Sequence, residues 1–169
     1  MLDQGLLLAR LVFGLVMAAH GAQKLFGWFG GYGLDAVSSM FESLGFRPGR
    51  LFATLASAGE LAGGLLLALG LFGPAGPALI LSVMIVAAIS VHWGHGLFAT
   101  TNGIEMPLLY AAGSVALALT GLGRYSLDAL LGLGSVFTPA LTWGALGIGI
   151  LGAVGTLAIR RIPQAAPQS

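Results

Sequence analysis

The stretch LLLARLVFGLVMAAHGAQKLF, residues 6–26, decides the fold class of this chain. About 20 apolar residues in an α-helix cross the hydrocarbon core of a bilayer, which is about 30 Å thick. The stretch therefore predicts a membrane-spanning helix. It also contains Arg10, His20 and Lys24, and charged side chains inside a membrane are costly unless they are paired or face the interior of a bundle.

The composition of the whole chain is typical of a membrane protein. Of its 169 residues, 57% are hydrophobic and 8% are charged, whereas soluble domains carry about 25% charged residues. The net charge is +1 and the basic residues are scattered, so the sequence predicts no nucleic-acid partner. Cysteine is absent, which excludes disulfides, thiolate nucleophiles and iron–sulfur ligation by this chain alone.

Four further apolar stretches follow the first one. The five predicted spans cover residues 5–26, 51–72, 75–93, 106–122 and 136–159. Between the first two spans, apolar and polar residues alternate at helical spacing, which predicts a short interfacial helix starting near Asp35. The GPAGP motif at residues 73–77 predicts a tight turn. We therefore expect an all-α, polytopic transmembrane helix bundle.

The first span ends in an Ala-rich segment, as a signal peptide does. It lacks a basic beginning, its apolar run is too long, and it carries Arg10 and Lys24, so we expect it to remain uncleaved. The distribution of basic residues favours a cytoplasmic location for the loop after this span and for the C-terminus. Arg10 and Lys24 could instead be held inside the bundle for function, which leaves the orientation open.

Polar residues form a stripe on the first helix. At 3.6 residues per turn, Arg10, Met17, His20 and Lys24 fall within an arc of about 80°. Glu60 lies in the middle of the second span, where an isolated ionised carboxylate is costly. We therefore expect Glu60 to be protonated or paired, with His20 and Lys24 as its partners.

Other polar residues are expected at the same membrane face, because successive helices reverse direction. They are His92, His95 and Glu105. With them, the predicted cluster is suited to proton handling. The alternative is that Lys24 extends to the head groups, that the two histidines are interfacial, and that Glu105 is a favourable acid at a helix start. A His-x-x-His pair alone is a weak metal pattern, so neither a metal nor a haem is expected.

Several motifs together resemble one family of membrane proteins. They are R-x-x-x-G at residues 10–14, H-G-x-x-K-L at 20–25, E-x-x-G-G at 60–64, the glutamate Glu105, and G-x-G-R-x-S-L-D at 121–128. The sequence is similar to the DoxX/DoxD-like proteins over about residues 7–130. The resemblance implies that four residues of these motifs have structural roles: Gly21, Gly64, Arg124 and Asp128.

The resemblance implies a four-helix transmembrane bundle, residues 1–130, in the bacterial cytoplasmic membrane. Residues 131–161 would add a fifth helix outside the usual family pattern, and residues 162–169 a polar tail. The chain also lacks the arginine that the family usually has in the turn after the second helix. An added helix could dock a partner subunit, and a homo-oligomer is a further option.

The resemblance also implies a function, since named members of the family are subunits of quinone-linked oxidoreductases or partners of oxidative-stress proteins. The leading hypothesis is a membrane subunit or accessory protein of such a redox complex, with quinone as a candidate cofactor. Glu60 and His20 would then bind the quinone head group or carry its protons, while Lys24 and Arg10 balance charge. It would not be a stand-alone enzyme. The alternatives are a non-enzymatic scaffold or assembly factor for a partner complex, and a small-molecule or proton transporter.

Overall fold

The computed structural model describes residues 1–161, which form α-helices and turns without any strand. The helices are α1 (Leu2–Phe26), α2 (Gly33–Ser43), α3 (Gly49–Leu69), α4 (Ala75–Ala87), α5 (Glu105–Thr120), α6 (Leu127–Leu130) and α7 (Pro139–Ala158). This arrangement confirms the predicted all-α bundle. The predicted polar tail, residues 162–169, lies outside the described residues.

The five predicted spans correspond to α1, α3, α4, α5 and α7. Within residues 1–161, four helical segments are long and apolar enough to cross a membrane: Leu2–Phe26, Gly49–Leu69, Ala75–His95 and Pro139–Ala158. The third segment is α4 extended by a π-helical turn, Ala88–His92, and a 3-10 turn, Trp93–His95. Helix α5 is apolar but shorter, with 16 residues.

The helix ends differ from the predicted ends by a few residues, and local backbone conformation explains why. The second span stops at Leu69 because Gly70 adopts a left-handed conformation with φ 66°, which glycine accepts without steric cost. The last span begins at Pro139 rather than at residue 136, because the Thr138 side chain accepts a hydrogen bond from Leu141 N and caps the helix.

The interfacial helix is present as α2, and it begins two residues before the predicted start. Its apolar face buries Val37 and Phe41, which pack with Phe46 and Ala53 of the following segment. Asp35 lies on its exposed side. This amphipathic pattern is typical of a helix at a membrane surface.

Small residues bring α1 and α3 unusually close together. A Cβ added at Gly14 would lie 2.6 Å from the Gly64 carbonyl oxygen, and one at Gly21 would lie 2.6 Å from the Ser57 carbonyl oxygen. Transmembrane helices pack through such small residues because lipid supplies no hydrophobic force between them. The contact fixes the register of the two helices and thereby places Lys24 beside Glu60.

The bundle has two ends, which we name after residues that they contain. The Lys24 end holds the end of α1, the beginnings of α3 and α5, and α2. The Asp128 end holds the turn between α3 and α4 and the segment around α6. Helix α7 packs on α4, where Gly149 approaches the backbone of Ala78, and it returns the chain to the Lys24 end.

Candidate functional site

Lys24 and Glu60 form an ion pair near the Lys24 end of the bundle. Lys24 Nζ lies 2.5 Å from Glu60 Oε1. The Glu60 side chain is 2% exposed and the Lys24 side chain is 34% exposed, so the lysine reaches the carboxylate from the edge of the bundle. Without the lysine, the buried carboxylate would carry an unpaired charge, which is strongly unfavourable. The pair explains how Glu60 is tolerated in an apolar helix.

The pair uses one of the two oxygens of Glu60. The other oxygen, Oε2, is buried and has no hydrogen-bond partner among the described residues. Buried polar groups in proteins are nearly always hydrogen-bonded, because an unpaired one costs about 1–3 kcal/mol. Glu60 therefore retains hydrogen-bonding capacity that its protein neighbours do not use.

Glu60 lines a cavity of about 230 Å³ between α1, α3, α4 and α5. Its walls are formed by Met17, His20, Lys24, Glu60, Met84, Ala87, His92, Met106, Pro107 and Tyr110. Four of the predicted site residues thus lie around one space. The remaining walls are largely apolar, and three of them are methionines, whose flexible side chains adapt to the shape of a ligand.

Two aromatic rings stand on one wall of this cavity. The His20 ring is exposed and meets the buried Tyr110 ring edge to face, with centroids 6.4 Å apart. Tyr110 also packs edge to face against Phe13 at 5.6 Å. Sequence analysis missed Tyr110, since a single tyrosine in an apolar helix carries neither a charge nor a motif that would mark it.

His92 joins the cavity to the loop between α4 and α5. It is the last residue of the π-helical turn, a local irregularity that is frequent at functional sites. Its Nδ1 lies 2.7 Å from the Asn102 carbonyl oxygen. Because a carbonyl only accepts, Nδ1 carries the hydrogen, and Nε2 is the acceptor of the neutral ring.

Glu105 and His95 do not line the cavity, although both were expected near it. Glu105 Oε2 accepts a hydrogen bond from Ala99 N at 2.7 Å and thereby fixes the loop that precedes α5. His95 is exposed, with Nδ1 3.1 Å from the Val91 carbonyl oxygen. Within residues 1–161, no three His, Cys, Asp or Glu side chains are placed to hold a metal ion together.

Arg10 lies at the other end of the bundle, which corrects the expectation that it balances charge beside Glu60. Its side chain is fully buried, and Nη2 donates to the Tyr125 carbonyl oxygen at 2.8 Å. Gly70 packs directly against its guanidinium, so that no side chain would fit there. Arg10 thus holds the segment after α5 against α1.

The other motif residues also have packing or capping positions. Asp128 is buried and accepts hydrogen bonds from Phe72 N at 2.9 Å and Gly73 N at 2.7 Å. Arg124 is exposed, and its backbone N donates to Asp3 Oδ1 at 2.9 Å. These contacts join the turn between α3 and α4, the start of α1 and the α6 segment into one structure.

The family comparison agrees with the helices that build the cavity. A family model described as DoxX matches residues 5–93, which is more than half of the 169-residue chain. The chain belongs to the DoxX family. With its long apolar helices, it is a multi-pass membrane protein.

The DoxX match has a clear limit within the structure. It covers α1 to α4 and ends at Trp93, just after His92. The α5 wall of the cavity, with Tyr110, lies beyond the matched residues, as do Glu105 and Asp128. No curated protein and no solved structure matches the chain.

Proposed function

We propose that this DoxX-family protein is an integral membrane subunit of a quinone-linked redox complex in the bacterial cytoplasmic membrane, and that the Glu60 cavity binds the quinone head group. The observation that carries this proposal is that Glu60, whose Oε2 is buried without a partner among the described residues, lines a cavity between the helices. An oxygen of this kind is suited to a ligand that exchanges protons.

The size of the cavity fits a substituted ring. A cavity of about 150 Å³ in another protein accommodates benzene, and this one has about 230 Å³. Its apolar walls suit a ring with aliphatic substituents, and its few polar groups can orient the ring oxygens, as in most small-molecule sites. The exposed His20 lies at the outer side, where a long apolar tail could continue into the lipid.

The residues of the cavity would divide the work between binding and proton exchange. Lys24 can donate a hydrogen bond to an oxygen of the quinone ring and stabilise negative charge that develops on that oxygen. Glu60 can bind a proton at Oε2, its unpartnered oxygen. In its neutral form, His92 offers Nε2 as a hydrogen-bond acceptor. A bound quinone would supply the electron-accepting chemistry. The electrons would come from a partner redox subunit, since the chain contains no cysteine for thiol or iron–sulfur chemistry.

The charges at the two ends support one orientation in the membrane. Arg10 is buried and Lys24 is paired with Glu60, so neither belongs to the loops that determine orientation. The remaining basic residues are Arg47, Arg50, Arg160 and Arg161 at the Lys24 end and Arg124 at the Asp128 end. Basic residues accumulate on the cytoplasmic side, which favours a cytoplasmic location for the Lys24 end.

Native purification tests the proposal. The protein is extracted from its own membrane in mild detergent, and the co-purified quinones are quantified by liquid chromatography and mass spectrometry together with co-purified proteins. We expect quinone at near one per chain and a partner with a redox centre. Glu60→Gln should lower quinone retention at least tenfold, whereas Asp35→Asn, at a side chain that is 89% exposed, should leave it unchanged.

A second variant guards against loss of fold. Tyr110→Phe removes only a hydroxyl from the cavity wall and should weaken quinone retention without changing the elution volume in size-exclusion chromatography. Equal quinone retention in the wild type, Glu60→Gln and Tyr110→Phe would contradict the proposed site. A pure protein that carries no quinone and no redox partner would contradict the proposed function.

A further inference from the structure

Three arginines lie on two segments that the fold joins at the Lys24 end, although these segments are distant in the chain. Arg47 lies in the loop between α2 and α3, and Arg160 and Arg161 follow α7. The two segments are joined by hydrogen bonds. Arg161 N donates to the Gly45 carbonyl oxygen at 2.9 Å, and Arg160 Nε donates to the Leu44 carbonyl oxygen at 2.6 Å. The fold therefore assembles a basic surface that neither segment has alone.

Arg160 is held in a fixed position within this surface. Its guanidinium carbon lies 5.7 Å from the centroid of the Phe46 ring, and Phe46 is 1% exposed. Within residues 1–161, only its Nε has a protein partner. The two terminal nitrogens are therefore available for a planar, bidentate contact, the geometry that guanidinium groups use to bind phosphate.

An apolar cleft of about 140 Å³ reaches Thr156, near the end of the helix that precedes Arg160. It lies between α3, α4 and α7, with Phe41 of α2 in its wall, and its lining includes Phe52, Gly59, Val86 and Thr156. Phe46 connects the two features, because its ring lies 5.5 Å from both Phe41 and Phe52. Thr156 is about one helical turn before Arg160. The cleft shares no lining residue with the Glu60 cavity.

The acidic residues of this end do not neutralise the three arginines. Asp35 pairs with Arg50 at 3.0 Å, and Glu42 Oε1 accepts a hydrogen bond from Gly49 N at 3.3 Å. With three arginines against the carboxylate of Glu42, the surface keeps an excess of positive charge, and Phe46 links it to a cleft that suits an aliphatic chain. The required ligand combines an anionic phosphate with an apolar tail.

We propose that this surface and cleft bind an anionic phospholipid. The phosphate would contact Arg47, Arg160 and Arg161, and one acyl chain would lie along the cleft between α3, α4 and α7. Basic pockets between transmembrane helices recognise anionic head groups in this way. A zwitterionic lipid offers the same chains without the net negative charge, so it should bind more weakly.

Lipid exchange in nanodiscs tests this proposal with the full chain. The protein is reconstituted in phosphatidylcholine with an increasing fraction of phosphatidylglycerol, and bound lipid is counted by native mass spectrometry after release from the disc. The test variant is Arg47→Gln/Arg161→Gln, at two exposed side chains. The matched control is Arg124→Gln, which removes an exposed arginine at the other end. Replacing Gly59 with Leu should fill the cleft and leave the arginines in place.

The outcomes distinguish a phospholipid head group from soluble inorganic phosphate as the ligand of the arginines. We expect the wild type and Arg124→Gln to retain one phosphatidylglycerol in preference to phosphatidylcholine. Each arginine removed should lower the affinity about fivefold, and Gly59→Leu should also displace the lipid. Equal retention of both lipids would overturn the proposal. So would displacement of the lipid by millimolar inorganic phosphate, because the surface would then be a site for soluble phosphate.

Discussion

Two buried carboxylates at opposite ends of the bundle have very different surroundings. Asp128 is 4% exposed, and both of its oxygens accept hydrogen bonds from backbone amides of the turn between α3 and α4. Glu60 is 1% exposed, and one of its oxygens has no partner among the described residues. Both groups are costly to bury, but only at Asp128 do protein donors compensate both oxygens.

The difference separates a structural carboxylate from one that is available to a ligand. Each carboxylate oxygen of Asp128 has a backbone donor, so both are compensated by the protein itself. Glu60 lies on a cavity with a lysine, two histidines and a tyrosine. Arg10 Nε and Nη1 are also buried without partners within residues 1–161, so the cavity beside Glu60, together with the missing hydrogen bond, distinguishes this carboxylate.

The largest expected effect on stability is that of Asp128→Ala. The substitution leaves the two backbone amides of Phe72 and Gly73 without acceptors. At about 1–3 kcal/mol for each unsatisfied donor, we expect a loss of about 2–5 kcal/mol in the free energy of unfolding. Denaturant unfolding in detergent micelles, followed by tryptophan fluorescence, measures this loss. Asp128→Asn keeps one acceptor oxygen and should lose less. A loss below about 1 kcal/mol for Asp128→Ala would contradict the structural role that we assign to this carboxylate.

A smaller loss of stability is expected for Gly64→Ala. The added methyl group would push apart α1 and α3, the two helices that carry Lys24 and Glu60. The added Cβ would lie 2.5 Å from Ala18 N and from the Gly14 carbonyl oxygen, and such overpacking costs about 1–3 kcal/mol. The control is Gly147→Ala in α7, where a Cβ meets nothing within 4 Å and helix stability should rise slightly. The same unfolding assay compares them, and equal behaviour would show that the α1–α3 contact is not tight in solution.

The smallest effect on stability is expected for Glu60→Gln. An uncharged amide can replace the carboxylate, and the Lys24 side chain is exposed enough to be hydrated at the membrane surface. We therefore expect a change below about 1 kcal/mol in the unfolding assay, together with the tenfold loss of quinone retention. A stability loss as large as that of Asp128→Ala would make Glu60 a second structural carboxylate and end the contrast between them.

The sequence predicts the helices well because apolar length is a direct physical requirement of a bilayer. The segment from Ala75 onward shows it, since its predicted end at residue 93 lies within two residues of His95. The helix ends were less predictable. Gly70 and Gly121 end their helices with φ 66° and 79°, and the sequence does not show which of 28 glycines adopt such conformations.

Part of the candidate site was predictable for a similar reason. The cost of burying Glu60 required a partner, and Lys24 was the nearest cation on the same face. Arg10 was placed with them because helical periodicity gives the direction of a side chain and ignores depth. Fourteen residues separate Arg10 from Lys24, which corresponds to about 21 Å along the axis. Tyr110 carries no such electrostatic signal, and only the packing of α5 on α1 reveals it.

The hydrogen bond between Arg160 and the loop that joins α2 to α3 has a consequence for how the protein is made. Arg160 and Leu44, which it joins, are 116 residues apart. A chain is synthesised from its N-terminus and its early segments can fold first, so α1 to α3 enter the membrane long before Arg160 leaves the ribosome. During that time, the Leu44 carbonyl oxygen lacks the hydrogen bond that Arg160 donates in the complete fold. The hydrogen bond from Arg160 therefore forms only after α7 has been synthesised.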